Sequence, residues 1–195
     1  MNSPVEIFIS DPREPVINPS APLTRLALRF IRDARDIPFL KLAALQSAIL
    51  LPFAAYFFLA PRFSWLLAIL YWVLVFAVFL APYTLMLHNV SHRPLFHYSL
   101  RFLNFWPQAI LGFFFGMTPY TYFSHHLGMH HVEDNMPEDL SSTMRYRRDS
   151  FLHFLVYFLR FFFLVMIELP RYLAKKRRYA MVRRALFSEW AYDAV

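Results

Sequence analysis

Histidine is the residue type whose spacing in this chain most clearly indicates chemistry. Seven of the 8 histidines fall between residues 88 and 131. The segment "HNVSH" places two histidines four residues apart, and "HLGMHH" repeats that spacing and adds one more. On a helix, side chains four apart share a face at about 5–6 Å between Cβ atoms, a separation that one metal ion can bridge. The spacing therefore predicts a metal site, with His131 reaching a second ion, and its candidate ligands are His88, His92, His126, His130 and His131.

The remaining histidines differ in what they predict. His125 could bind metal in place of His126 or lie beside the ligands, and both alternatives stay open. His97 and His153 are isolated in the sequence, so we expect them to anchor the chain at a membrane interface and to stand apart from the site. The chain has no cysteine, and imidazole suits iron, copper, nickel and zinc, so ligand type alone does not identify the metal.

Two familiar histidine sites do not fit these motifs. A zinc peptidase needs glutamate directly after the first histidine, and the corresponding residues here are Asn89 and Leu127. Bis-histidine haem needs single histidines on facing helices, and pairs spaced by four at a helix exit do not provide them.

The composition indicates that membrane helices must position these histidines. Of the 195 residues, 58% are hydrophobic and only 17% are charged, which is too apolar for a soluble domain of this size. The net charge is +7, but the basic residues lie beside apolar runs. We therefore expect membrane lipids, and not nucleic acid, as the anionic partner. The fold class predicted is an all-α integral membrane protein.

Two uncharged runs predict a transmembrane hairpin. Residues 42–60 and 63–87 each approach or exceed the roughly 20 residues that a spanning helix needs, and a two-residue turn joins them. Basic residues are concentrated before the hairpin, which by the positive-inside rule places both of its ends in the cytoplasm; these residues are Arg25, Arg29, Arg32, Arg35 and Lys41. His88 and His92 are then expected at the cytoplasmic face of a multi-pass protein.

A third uncharged run, 102–124, precedes the second histidine motif. A full crossing would separate the two motifs by the roughly 30 Å of the hydrocarbon core. Proline and glycine interrupt the run, which favours a re-entrant or interfacial helix pair over a plain third span; the interruptions are Pro107, Gly112, Gly116 and Pro119.

The other segments are assigned more simply. Residues 1–22 contain five prolines and predict a disordered tail without a cleaved signal. Residues 24–36 predict a short interfacial helix with Thr24 as its N-cap. Residues 151–169 carry a polar stripe, which favours a helix along the interface, with a true span as the alternative; the stripe is His153, Tyr157 and Arg160.

"HNVSHRPLF" after a hairpin, followed by "HLGMHHVEDNMPEDLSS", resembles the first two histidine boxes of the membrane fatty acid desaturase and hydroxylase superfamily. The end of the second box strengthens the resemblance through His130, His131, Asn135, Pro137 and Asp139. The resemblance covers roughly residues 40–195. It implies one desaturase-like membrane domain over residues 23–195, with both boxes on the cytoplasmic face and the C-terminal part of the family pattern missing.

This resemblance implies an oxidoreductase. Its histidines would hold a diiron centre that activates dioxygen and desaturates or hydroxylates a lipid or acyl chain. Electrons would come from a ferredoxin or cytochrome b5-like donor. The basic stretch 171–184 is one docking surface for such a donor, and a topology-fixing charge run beside lipid headgroups is the other interpretation.

The family also has a third box, HxxHH, and this chain has no histidine after His153. The ligand set for two irons is therefore incomplete, and we expect this chain alone neither to retain two irons nor to turn over a lipid. The acidic residues Glu133, Asp134, Glu138 and Asp139 are expected in a solvated loop or paired with Arg145, Arg147 and Arg148. A non-catalytic membrane relic or metal-binding membrane protein is the alternative function.

Overall fold

The computed structural model describes residues 21–193, without the side chains of Pro119 and residues 189–193. Within that range the chain is helical and contains no strand, and a single isolated bridge joins Ile31 to Phe96. The all-α prediction is confirmed. The predicted tail lies almost entirely outside the described residues. The helices are α1 (Pro22–Ala27), α2 (Ile37–Leu59), α3 (Trp65–His92), α4 (Leu111–Phe114), α5 (Pro119–His125), α6 (Phe151–Lys175) and α7 (Tyr179–Asp193).

Shorter turns connect or interrupt these helices. The 3-10 turns are Ala34–Asp36 and Tyr98–Asn104, and a last helical turn is His131–Glu133. Wider π-helical turns, in which hydrogen bonds run from residue i to i+5, are Leu74–Phe79 inside α3, Trp106–Ile110 before α4, and His126–His130 after α5.

Helices α2 and α3 form the predicted hairpin. The Phe53 and Tyr71 rings lie 5.9 Å apart near the turn, and Gln46 donates a hydrogen bond to the Phe79 carbonyl (3.5 Å) farther along the pair. Both helices extend beyond the uncharged runs at their outer ends. Within residues 21–193, three helical stretches are long and apolar enough to cross a membrane: Ala34–Leu59, Trp65–His92 and Phe151–Lys175.

The segment before α2 differs from its prediction. Helix α1 ends at Ala27, and Thr24 lies inside it as a buried residue, so Thr24 is not the N-cap. The chain then pairs with the residues after α3, because Arg32 N–H donates to the Leu95 carbonyl (3.1 Å). This tertiary pairing competes with a continued helix. The predicted single helix over 24–36 is therefore wrong.

The segment 102–124 is broken, as its prolines and glycines predict. Helix α4 ends at Phe114, and Gly116 adopts a left-handed φ of 66° before α5 begins. The buried Tyr83 hydroxyl donates to the Pro107 carbonyl (3.0 Å), which ties this segment to α3. The bend returns the chain toward the end of α3 that carries the first histidine motif.

Candidate metal centre

The first two histidines lie on one face of the last turns of α3. The rings of His88 and His92 are 5.0 Å apart between centroids, as the spacing of four predicts. The Ser91 hydroxyl donates to the His88 carbonyl (2.7 Å). The helix ends at His92, and the guanidinium of the next residue, Arg93, binds Asp33 (3.1 Å) and the buried Asp36 (2.6 Å) just before α2. These ion pairs fix the helix end that presents the histidines.

The second motif lies on the π-helical turn His126–His130, and this turn changes which histidines are neighbours. A π turn brings residues five apart into register. The Nε2 atoms of His126 and His131 accordingly lie 3.1 Å apart, whereas the rings of His126 and His130 are 5.9 Å apart. The spacing of four predicted His130 as the partner of His126, and the structure places His131 there instead.

The two motifs converge on one point. His88, His92 and His126 each contribute one ring nitrogen to a close group. These three nitrogens all lie within 4.8 Å of one another. The Nε2 atoms of His92 and His126 are 3.1 Å apart, and the rings of His92 and His131 are 4.6 Å apart between centroids. We refer to these four residues as the histidine cluster. The nitrogens of His88, His92 and His126 are close enough to one another to bind a metal ion, and His131 lies beside them.

Burial keeps the His126 imidazole unprotonated over a wider pH range than that of a free histidine. Its side chain is buried, and this burial, followed by the charges of the neighbouring histidines, lowers the pKa of His126 to about 4. The imidazole is then neutral near pH 7. A neutral imidazole keeps one nitrogen lone pair available for a cation.

His130 lies beside the cluster and binds a buried acid. Its Nδ1 atom is 2.7 Å from Oδ2 of Asp139, whose side chain is fully buried. Burial raises the pKa of Asp139, but hydrogen bonds from Ser141 and His130 outweigh it, so the pKa lies below its ordinary value. The expectation that Asp139 is solvated or paired with an arginine is therefore wrong.

His125 lies beside His130 and against Phe161 of α6. Its ring is 6.3 Å from that of His130 and 5.4 Å from that of Phe161. Burial lowers the pKa of His125 to about 4, and its buried Nε2 has no hydrogen-bond partner among the described residues. It is not part of the close group formed by His88, His92 and His126.

Two other acidic residues pair with the turn between α6 and α7. Glu133 accepts hydrogen bonds from the Tyr172 hydroxyl and from Lys176 (2.8 Å), and Glu138 contacts Lys176 (3.0 Å). Arg178 donates to the Gly128 carbonyl inside the histidine turn. The predicted pairing of Glu133 and Glu138 with Arg145, Arg147 and Arg148 is wrong, because both acids pair with Lys176 at the far end of α6. The alternative, a solvated loop, is confirmed for Asp134 and Glu138, which are exposed.

The two isolated histidines bind backbone groups away from the cluster. Nε2 of His97 lies 3.0 Å from the Leu28 carbonyl. Nδ1 of His153 accepts a hydrogen bond from the Arg147 backbone N–H (2.9 Å). Both residues stand apart from the cluster, as their isolation in the sequence predicted.

Two apolar cavities adjoin the histidines. One of about 580 Å³ runs along α3 and reaches His88; it is lined by Phe76, Leu80, Ala81, Thr84, Leu85, His88 and Tyr122. The other, of about 450 Å³, lies between α5 and α6 and reaches His125. The Tyr122 ring belongs to both and stacks on His126 at 5.3 Å. Sequence reasoning missed Tyr122, although it precedes His126 by four residues.

No protein-family model, curated protein or solved structure matches this chain. The functional assignment therefore depends on the two histidine motifs and on the geometry of the site.

Proposed function

We propose that this chain is a membrane oxidoreductase of the desaturase-like kind, whose histidine centre serves the dioxygen-dependent desaturation or hydroxylation of a lipid or acyl chain. One observation carries the proposal: His88 and His92 meet His126 within 4.8 Å at the end of a long apolar hairpin. The desaturase-like spacing of both motifs supplies the reaction class.

Iron is the metal we propose. Imidazole nitrogens also suit copper, nickel and zinc, but oxidising an unreactive C–H bond requires a redox cofactor, because protein side chains do not supply that chemistry. A bound iron centre would supply dioxygen activation. The residues of the chain would hold the metal through the histidine cluster, in which His126 is buried and His92 and His131 are exposed. Apolar side chains line the approach to His88.

The apolar cavity along α3 supports a lipid substrate. It passes Phe76, Leu80 and Leu85 before it reaches His88, so a hydrocarbon chain lying in it would contact the histidine cluster. Phe76 and Leu85 are exposed on the outer surface of α3, where membrane lipid would contact them. A chain could therefore enter sideways from the bilayer.

The number of histidines favours one ion and not two. The cluster offers four imidazoles, and the only other histidines in its vicinity are His125 and His130. A second iron would need ligands from outside these motifs. We therefore propose that the chain alone binds about one ion and does not turn over a lipid.

The electron donor and the orientation are further parts of the proposal. Lys176 and Arg178 are engaged with Glu133 and Gly128, which leaves the exposed arginines of the basic stretch as the docking surface for a ferredoxin or cytochrome b5-like donor. These arginines are Arg171, Arg177, Arg183 and Arg184. The site would face the cytoplasm.

Metal binding to the purified full chain in lipid nanodiscs tests the proposal. We expect about one Fe²⁺ or Co²⁺ per chain, and a loss of affinity of at least about 100-fold in His126→Asn, since loss of a ligand should exceed the 10–100-fold cost of losing a supporting residue. His97→Gln is the matched control and should bind normally. The proposed metal site would be contradicted if the wild-type chain bound no metal, or if His126→Asn and His97→Gln bound metal with equal affinity.

A panel of lipids with reductant and oxygen tests the ligand count. Two irons per chain together with product formation would show that carboxylates or a second chain complete the centre. That result would contradict the proposal that the chain alone binds about one ion and is inactive. It would agree with the proposed reaction class.

A non-catalytic metal-binding membrane protein is the second candidate. The compactness of the cluster favours it, because ring centroids as close as 4.4 Å suit a closed site around one redox-inert ion such as zinc. Metal competition separates the two candidates. A centre that selects Zn²⁺, and whose Fe²⁺ form is not oxidised by dioxygen, would favour the second.

A further inference from the structure

Asp139 is a buried acid whose carboxylate is fully occupied by protein donors. Its side chain is 0% exposed. Oδ1 accepts from the backbone N–H (2.8 Å) and the hydroxyl (2.6 Å) of Ser141. Oδ2 lies 3.1 Å from the Asn135 N–H and 2.7 Å from Nδ1 of His130. Burying a charge is costly unless it is paired and hydrogen-bonded, and this arrangement meets that requirement.

The loop that follows the histidine turn is shaped to bring Asp139 back to His130. Asp134 and Asn135 both adopt left-handed backbone angles, with φ of 45° and 62°. The Ser142 hydroxyl then donates to the Asn135 carbonyl (2.6 Å) and closes the loop. Two consecutive non-glycine residues with positive φ are uncommon, so the chain accepts an unfavourable backbone to form this contact.

The contact determines where the proton of His130 lies. An ionised carboxylate only accepts hydrogen bonds, so Nδ1 of His130 must carry the hydrogen in this pair. A neutral imidazole carries one such hydrogen, and its lone pair is then on Nε2. Carboxylates that bind one ring nitrogen in this way orient metal-bound histidines and increase their basicity.

We propose that Asp139 is a positioning residue for the metal centre: it fixes the ring of His130 and the hydrogen on Nδ1, so that Nε2 of His130 serves as an additional metal ligand beside the histidine cluster. The His130 ring is 5.7 Å from that of His131 and 5.9 Å from that of His126, which places it next to the cluster. This inference rests on the proposed metal-binding function and extends its ligand set.

The tautomer of His130 tests the first half of the inference without any metal. In the metal-free wild-type chain labelled with ¹⁵N-histidine, we expect the His130 signals of an imidazole with hydrogen on Nδ1, assigned by their absence in His130→Gln. Hydrogen on Nε2 would overturn the inference. This measurement stays decisive even if the wild-type chain binds no metal, an outcome that would contradict the proposed function itself.

Cobalt binding tests the second half. Asp139→Asn retains the size of the side chain but presents a neutral amide to Nδ1, and we expect Co²⁺ to bind about 10–100-fold more weakly, with an altered visible spectrum. Asp139→Glu should restore part of the affinity. Glu138→Gln removes the same charge one residue away, where the carboxylate pairs with Lys175 and Lys176. Its affinity for Co²⁺ should stay within about twofold of the wild type, well short of the cost of losing a supporting residue.

A double variant separates positioning from general stability. If Asp139 acts through His130, Asp139→Asn should cost no further Co²⁺ affinity in a His130→Gln background. An equal loss in both backgrounds would overturn the inference. Should Asp139→Asn fail to fold, the Asp139→Glu variant and the wild-type tautomer still decide it.

Discussion

Burial of His125 and His126 makes the fold itself sensitive to acid. Burial is the main cause of the lowered pKa of each residue, about 4 in both, against about 6.5 for an unperturbed histidine. The unfolded chain therefore binds more protons than the folded chain between these two values. Stability must fall as the pH is lowered through that window.

We predict that the metal-free chain loses thermal stability steadily between pH 6.5 and about 4, and gains little from raising the pH above 7. Unfolding temperatures measured in detergent over this range would check the prediction. His126→Asn, which cannot be protonated there, should reduce the slope. A wild-type unfolding temperature that does not change between pH 6.5 and 4.5 would contradict it.

The short elements of the chain depend on close backbone contacts, and Gly112 in α4 provides the clearest case. A Cβ at this position would lie 2.8 Å from the Met117 carbonyl oxygen and 3.1 Å from the Tyr83 hydroxyl. The first contact is with backbone, which cannot rotate away. The absence of a side chain at residue 112 therefore allows the bend between α4 and α5 to close against α3.

We predict that Gly112→Ala destabilises the chain by about 1–3 kcal/mol, as overpacking of a tight core generally does. Gly128→Ala is the matched comparison and should cost less, because the nearest atom to its Cβ is the flexible Met181 side chain. Reversible unfolding in mixed micelles gives the free energy of unfolding of both variants and of the wild type. Equal effects would show that the backbone contact at residue 112 is not limiting.

At the scale of the whole molecule, both ends of α6 contact the segment that follows the second histidine motif. Near its start, the Tyr157 hydroxyl donates to the Ser141 carbonyl (3.4 Å). At its other end, Lys176 pairs with Glu133 (2.8 Å). A helix whose two ends meet one loop region fits a position along the membrane interface, although its length would also allow a crossing.

We predict that spin labels at residues 151 and 162 of α6 report similar depths in the bilayer. Both phenylalanines there are exposed, at 77% and 61%. Labels at Trp65 and Phe76 in α3, also 11 residues apart, provide the matched control and should differ in depth by about 16 Å. The chain has no cysteine, so single labelling sites are simple to introduce. A 16 Å difference within α6 would establish a third span.

We also predict that the histidine cluster faces the cytoplasm, because positive charge precedes the hairpin. A cysteine at Arg62, in the exposed turn between α2 and α3, should react with an impermeant reagent in intact cells. A cysteine at Tyr98, which is 81% exposed and lies near the other end of the hairpin, should react only after permeabilisation. The opposite pattern would invert the topology.

The sequence by itself determined the apolar helices of membrane-spanning length, the hairpin, the interruption near Gly116 and the two histidine motifs that supply the site. These features follow from local chemistry: uncharged length, backbone preferences of glycine and proline, and a spacing of four at the end of α3. The sequence also predicts that His97 and His153 stand apart from the histidine cluster, since neither has another histidine three or four residues away.

Only the tertiary structure decided which histidines and acids meet. The π-helical turn places His131, and not His130, beside His126, and a widened turn depends on packing that a period of four cannot reveal. The pairing of Asp139 with His130 depends on two left-handed residues in the loop, and that of Glu133 with Lys176 joins residues 43 positions apart. Spacing along a helix predicts neighbours on that helix, whereas contacts between a loop and a distant helix depend on how the helices pack.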